Sequence, residues 1–293
     1  MKFSFDSSHT YDSRFEHQRL YDSHNRVRSN ILEMPHLIIL RHGESEWNKT
    51  NKFCGWVDVS LSENGKKQAE RSAELLLKQK EVGKPDICFT SRLTRANQTA
   101  EIILDRMHRL FIDTDKTWRL NERHYGAFQG RDKTEVLAEV GKEKYMFVRR
   151  AYTGCPPLCD PDAECRSLDD RYNLDAEDEK KLGLSGGEMP RGESLEMVVG
   201  RLVPYYKAAI EPELAKGRTV LVVTHGSVVR ALLKVLYSIS DDDISEVNIP
   251  NGIPIKIDLD AETLKPRKDK WEYLDPERAK VEAEKVRLQG FKK

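Results

Sequence analysis

Two apolar stretches of this chain end in the same pair of residues. Leu40-Arg41-His42-Gly43 and Thr224-His225-Gly226 lie far apart in sequence, and each histidine follows a run that reads as a buried strand. If both strands are central and parallel, the two imidazoles meet at the carboxyl edge of one sheet, where open α/β folds place their chemistry. A histidine pair there, with Arg41 beside one ring, suits a phosphate site. One neutral imidazole attacks phosphorus, and the other donates a hydrogen bond to the equatorial oxygens. The glycine after each histidine would let backbone approach the phosphate closely. A phosphoryl group in transfer carries about two negative charges, which preorganised donors must meet. Arg95, in Ser91-Arg92-Leu93-Thr94-Arg95-Ala96 at the start of a helix, has a fork that can bind two phosphate oxygens at once. No carboxylate cluster suits magnesium or manganese, so the expected chemistry is metal-independent phosphoryl transfer through a phosphohistidine on His42.

Such a pair needs a frame. Residues 36–40 form a short continuous apolar run that stops at polar Arg41, and residues 86–90 and 219–224 read as further strands. Ser62 can cap a helix over about 63–80, and Leu93, Ala96, Ala100 and Ile103 mark a helix over 92–106. Val228, Val229, Leu232, Leu233, Val235 and Leu236 form the apolar side of another. Strands alternating with helices predict an α/β fold: a mostly parallel central sheet with helices on both faces, in three α/β/α layers. Within it, about 118–197 reads as a charged insertion of helices and loops, a lid more than a second core. Residues 35–265 then form the catalytic domain. Residues 266–293 form a tail whose short helix starts at the Asp275 cap with Pro276 first and stops at Gly290. Residues 1–34 lack a sustained apolar period and read as a flexible extension.

Composition narrows the function classes. The 293 residues carry 49 Lys plus Arg and 49 Asp plus Glu, so no overall field draws nucleic acid or an anionic membrane. No apolar run approaches the roughly 20 residues of a membrane span, and a cytoplasmic enzyme is expected. The five cysteines, an odd number, suit reduced thiols. Cys155, Cys159 and Cys165 cluster, but their spacing matches no zinc pattern, so no metal is expected there.

Arg41-His42-Gly43-Glu44-Ser45-Glu46-Trp47-Asn48 resembles the signature of the histidine phosphatase superfamily, and specifically its cofactor-dependent phosphoglycerate mutase branch. The resemblance continues, in the same order, through Phe53-Cys54-Gly55-Trp56-Val57-Asp58, Leu61-Ser62-Glu63-Asn64-Gly65, and the Thr90 to Ala96 stretch. It extends through Trp118-Arg119-Leu120-Asn121-Glu122-Arg123-His124-Tyr125-Gly126 and Asn248-Ile249-Pro250-Asn251-Gly252-Ile253-Pro254. It implies that Glu122 is the general acid and base, joining His42, His225, Arg41 and Arg95 in catalysis. It implies substrate contacts from Ser45, Asn48, Cys54, Gly55, Arg123, Tyr125, Lys133, Arg149, Arg150, Gly226 and Ser227. It further implies a small phosphorylated acid as substrate, 2,3-bisphosphoglycerate as primer, no metal, and a homodimer or homotetramer. Cys54 stands where such mutases mostly have Ser or Thr, and Ser227 where Asn is usual; a thiol donates weakly, so the Cys54 contact to phosphate is either lost or carried by backbone alone. The rival readings are a phosphatase using the same phosphohistidine and a non-catalytic binder of phosphorylated ligands.

Overall fold

Leu37, Ile38, Ile39 and Leu40 have no exposed surface, as a strand covered on both faces requires. In the computed structural model, which describes residues 34–80, 84–160, 172, 180–184 and 189–291, they form most of β1 (His36–Arg41). After β1 come α1 (Glu46–Lys49), α2 (Glu63–Leu77), β2 (Ile87–Ser91), α3 (Thr94–Arg106) and β3 (Thr114–Thr117). Then follow α4 (Lys133–Val140), α5 (Lys142–Arg150), α6 (Leu195–Tyr205), α7 (Glu211–Ala215) and β4 (Thr219–Thr224). The chain continues through α8 (Gly226–Leu236), β5 (Ile255–Asp258), β6 (Glu272–Tyr273) and α9 (Pro276–Arg287).

The strands make one sheet in the order β3-β2-β4-β1-β5-β6. β1, β2, β3 and β4 are parallel, with His36 to Arg41 in register with Thr219 to Thr224. β5 and β6 run antiparallel at the other edge. The mostly parallel sheet therefore holds, and the sequence pattern missed β3, β5 and β6. β3 reads Thr-Asp-Lys-Thr, an edge strand with two exposed residues and no apolar run to mark it.

Alternate residues of the central strands feed two cores. Leu37, Ile39, Phe89, Val220 and Val222 pack with Leu195, Val198 and Leu202 of α6 and Val228, Val229, Leu232 and Leu233 of α8. Ile38, Leu40, Cys88, Leu221 and Val223 pack with Ala73 and Leu76 of α2 and Ala100, Ile103 and Leu104 of α3. These are the three layers. The insertion adds an apolar cluster of its own, in which Phe53 meets Phe128, Val136, Tyr145 and Val148. The extension expected over 1–34 lies, but for Met34, outside the described residues, as do Cys165 and part of the 155–190 stretch.

Candidate active site

Parallel register of β1 and β4 brings the two histidines together. The His42 amide donates to the Thr224 carbonyl (2.8 Å), and the two rings lie edge to face with centroids 5.0 Å apart. Both are buried. His42 Nδ1 lies 2.5 Å from the Gly43 carbonyl, which accepts only, so that nitrogen carries the proton. Nε2 is thereby left with its lone pair, toward which Arg95 Nε points at 3.3 Å. Burial first, then Arg95 and Arg41, hold the His42 imidazole well below its ordinary range, so it stays neutral and nucleophilic. His225 is depressed in the same way, burial leading and Arg95 next. Its Nε2 lies 2.8 Å from Ser91 Oγ at the end of β2, and its Nδ1 is buried without a partner among the described residues.

Among the described residues, the cavity in front of His42 is lined by Arg41, Lys52, Arg95, Lys133, Arg149, Arg150 and Arg230, against the one carboxylate Glu122. Asn48, Phe53, Cys54, Gly55, Tyr125, Gly226, Ser227 and Ile249 complete the walls, and Val286 and Gln289 reach in from the tail. Arg41 donates through Nη1 to the Ile249 carbonyl (2.7 Å), while its Nε and that of Arg230 are buried without partners among the described residues. Burial first, then the neighbouring Arg149, draw the Lys133 ammonium down to about 7 and Arg150 to about 9. Burial, followed by Arg123, draws Arg230 to about 10. Burial pushes the Tyr125 phenol up, but Arg123 leads the opposing charges that hold it below its usual value. So many like charges in one buried space repel one another, and a polyanion bound among them would relieve that repulsion.

Glu122 is fixed at both ends. Its Oε1 accepts from the amides of Arg123 (2.9 Å) and Ser227 (3.1 Å), and its carbonyl accepts Trp56 Nε1 at 2.6 Å. Arg95 departs from expectation. Its Nη1 and Nη2 are held by the carbonyls of Val57 (3.0 Å) and Gly55 (2.7 Å), which leaves the Nε edge, not the fork, facing His42. The two glycines also differ. A Cβ on Gly43 would lie 2.3 Å from the Gly65 carbonyl oxygen, so that glycine serves packing against α2; Gly226 lines the cavity beside the Arg41 guanidinium.

Ser45, Arg123 and His225 are near the cavity without lining it. Ser45 Oγ caps α1 through the Asn48 amide (3.2 Å) and lies 3.7 Å from Cys54 Sγ. The Arg123 guanidinium is turned to the carbonyls of Val148 (2.8 Å) and Gly154 (3.1 Å) and stacks over Tyr125. Lys52, Arg230, Gln289 and Ser91 were not legible as site residues. Arg230 sits on the apolar helix α8, and nothing local marks an arginine there as facing a cavity. The Asn248 to Pro254 stretch gains a role: the Ile249 carbonyl holds Arg41, and Asn251 Nδ2 donates to the His42 carbonyl at 2.9 Å. Among the described residues, Cys54, Cys88, Cys155 and Cys159 are free thiols, and no helix is long and apolar enough to cross a membrane.

The anion site makes a simple prediction. Sulfate stays dianionic across neutral pH, so any titration of its binding belongs to the protein. With Lys133 at about 7, sulfate affinity measured by calorimetry should fall as pH rises through about 7, by up to about tenfold per unit. Lys133→Met should flatten that profile, and an unchanged profile in this variant would remove Lys133 from the anion site.

A profile of the histidine phosphatase superfamily (branch 1) matches residues 37–172 and 163–271. The 2,3-bisphosphoglycerate-dependent phosphoglycerate mutase of Bifidobacterium longum (strain DJO10A) is 49% identical over 257 residues, covering 87% of this chain and 98% of that protein. The phosphoglycerate mutase of Candida albicans is 47% identical over 261 residues, covering 89% of this chain and all of that one. Among solved structures, mycobacterial hydrolase 1 superposes with a TM-score of 0.58 over 82% of this chain and 97% of its own, at 22% identity, and shares the fold.

Proposed function

The chain belongs to the histidine phosphatase superfamily, and from that premise we propose that it is a phosphoglycerate mutase that passes a phosphoryl group through His42. It interconverts 3-phosphoglycerate and 2-phosphoglycerate, a step of glycolysis and gluconeogenesis. One observation carries the reading furthest. A single cavity joins His42, neutral and with a bare Nε2, to Glu122 and to the cations Lys133, Arg149 and Arg150. A phosphatase needs the nucleophile and a proton donor for the leaving hydroxyl; a mutase must also hold the rest of the substrate while it turns.

The donor set suits 2,3-bisphosphoglycerate: the unpartnered Arg41 Nε and His225 Nδ1 lie near His42, and Lys133, Arg149, Arg150 and Arg230 offer further cations. When bound, it supplies the phosphoryl group that charges His42. His42 Nε2 attacks phosphorus while Arg41, the Arg95 Nε–H and His225 meet the equatorial oxygens. Glu122 hands a proton to the departing hydroxyl oxygen and takes one from the hydroxyl that attacks on return. Tyr125, Lys133, Arg149 and Arg150 hold the carboxylate and distal phosphate; Asn48, Cys54, Gly55, Gly226 and Ser227 line the near wall. Ser45 and Arg123 support these contacts from behind. No metal takes part, and the enzyme works in the cytoplasm. Among the described residues β3 is the last strand at its edge of the sheet, and with exposed Leu110 and Phe111 just before it this supports assembly as a homodimer or homotetramer.

Residues 35–265 serve as the catalytic domain, with 118–197 as lid and 266–293 as tail. Gln289 accepts from Arg149 Nη1 at its carbonyl (2.6 Å) and from Lys133 Nζ at its side chain (3.3 Å). Such a tail would exclude water while phospho-His42 waits. Removing the residues after Pro276 should raise phosphate release relative to isomerisation by about tenfold. Gly290→Ala should do so more mildly. Gly290 has φ of +90°, and a Cβ there would lie 2.0 Å from the Tyr145 hydroxyl oxygen. An unchanged ratio of the two products in both variants would count against the tail.

The function itself is tested by incubating the protein, with EDTA present, on 3-phosphoglycerate and trace 2,3-bisphosphoglycerate. Primer-dependent 2-phosphoglycerate with little free phosphate supports the mutase. Phosphate without 2-phosphoglycerate would move the reading to a phosphatase, and silence in both channels to a binding protein.

A further inference from the structure

Behind the Glu122 loop, and outside the catalytic cavity, lies a buried ion pair. Arg201 of α6 and Glu193, just ahead of the Ser194 cap of that helix, meet at 2.7 Å (Nε to Oε1), and both are almost wholly buried. Nη2 also donates to Glu193 Oε2 (3.1 Å), and the remaining guanidinium contacts are to main chain. Nη1 donates to the Arg119 carbonyl (2.6 Å), and Nη2 donates to the carbonyls of Asn121 (2.9 Å) and Glu122 (3.1 Å). Glu193 clamps the next stretch from both sides: Oε2 accepts the His124 amide (2.8 Å), and the Glu193 amide donates to the His124 carbonyl (2.9 Å). One ion pair thus grips the backbone immediately before, at and after Glu122.

Stability alone gives no reason for this arrangement. A buried ion pair is often no more stable than well-packed apolar residues of the same volume. Its directional hydrogen bonds do something apolar packing does not, which is to admit one position of the peptide groups they hold. The Glu122 carboxylate in front is set by the Arg123 and Ser227 amides, and the first of these belongs to the gripped segment. We infer that Arg201 and Glu193 are positioning residues for Glu122: they hold its main chain so that the carboxylate meets the hydroxyl oxygen that leaves or attacks. Neither touches substrate. The inference rests on the mutase reading, in which Glu122 moves that proton.

A displaced Glu122 impairs only the steps that need its proton. Phosphoramidate separates them, because its nitrogen already carries three protons. His42 Nε2 forms a bond to phosphorus, the P–N bond breaks, and ammonia leaves with the bonding pair, so no general acid is required. The experiment compares wild type, Arg201→Met and Glu193→Gln in isomerisation and in labelling of His42 by phosphoramidate, read on the His42 peptide by mass spectrometry.

Isomerisation should fall about 100-fold in Arg201→Met and about 10-fold in Glu193→Gln, mostly in kcat, with labelling rates within about threefold of wild type. Parallel loss of both reactions in the folded variants would show a merely structural pair and overturn the inference. So would undiminished isomerisation in Glu193→Gln, which decides the matter if Arg201→Met does not fold. A wild-type protein that labels at His42 without isomerising overturns the mutase reading and the inference with it.

Discussion

His42→Ala is expected to lower isomerisation by at least about 10^4-fold, because it removes the group that carries the phosphoryl between two hydroxyls and nothing nearby can replace it. His225, the other imidazole in contact with His42, has its Nε2 engaged by Ser91 Oγ, which leaves Nδ1 as the edge that donates to phosphoryl oxygens and not one that attacks. The variant should still fold. The lost contact leaves the Gly43 carbonyl without its Nδ1–H partner, a cost of about 1–3 kcal/mol against a domain stability of roughly 5–15 kcal/mol. Steady-state rates and a thermal melt check both halves, and measurable turnover above about 1% of wild type would contradict the nucleophile.

Glu122→Gln should cost about 10^3-fold in kcat with little change in KM, since general acid and base transfer contributes about 10^2 to 10^4 and the side chain is not the main anchor of a polyanion. Glutamine keeps an oxygen to accept from the Arg123 and Ser227 amides, so geometry survives while proton transfer does not. The contrast with His42→Ala is informative. Glu122→Gln should retain labelling by phosphoramidate, whose leaving group needs no proton, whereas His42→Ala should lose it. Loss of labelling in both would mean that Glu122 holds the phosphoryl group instead of serving the hydroxyl.

The His42 and His225 pairing was legible because it is written in strand ends: uninterrupted apolar runs, each stopping at a polar dipeptide, must lie side by side in a covered sheet. Arg95 at the first turn of α3 was legible for the same reason. Its orientation was not, since the Gly55 and Val57 carbonyls that turn its Nη groups away come from a loop with no local pattern. Glu122, Tyr125, Lys133, Arg149 and Arg150 came only through resemblance. Composition and spacing alone leave a paired arginine on a helix indistinguishable from a solvated one. Arg230 and the Arg201–Glu193 pair stayed hidden, because their significance lies in partners far along the chain, such as Arg150 and Glu122.

The two substitutions noted against related mutases sit differently. Cys54 lines the cavity with its sulfur 3.7 Å from Ser45 Oγ and 3.9 Å from Asn48 Nδ2, contacts at the weak end for a thiol. Ser227 offers its backbone amide to Glu122, which any residue but proline would supply.

The central claim is that one phosphoryl group travels through His42 from one hydroxyl to another. It is tested most directly by charging the protein with 2,3-bisphosphoglycerate labelled in its phosphates, isolating the acid-labile label on the His42 peptide, and chasing with unlabelled 3-phosphoglycerate. The account predicts that the label leaves His42 into phosphoglycerates, appearing in 2-phosphoglycerate faster than in free phosphate. Label that passes to water alone, or never reaches His42, would contradict it.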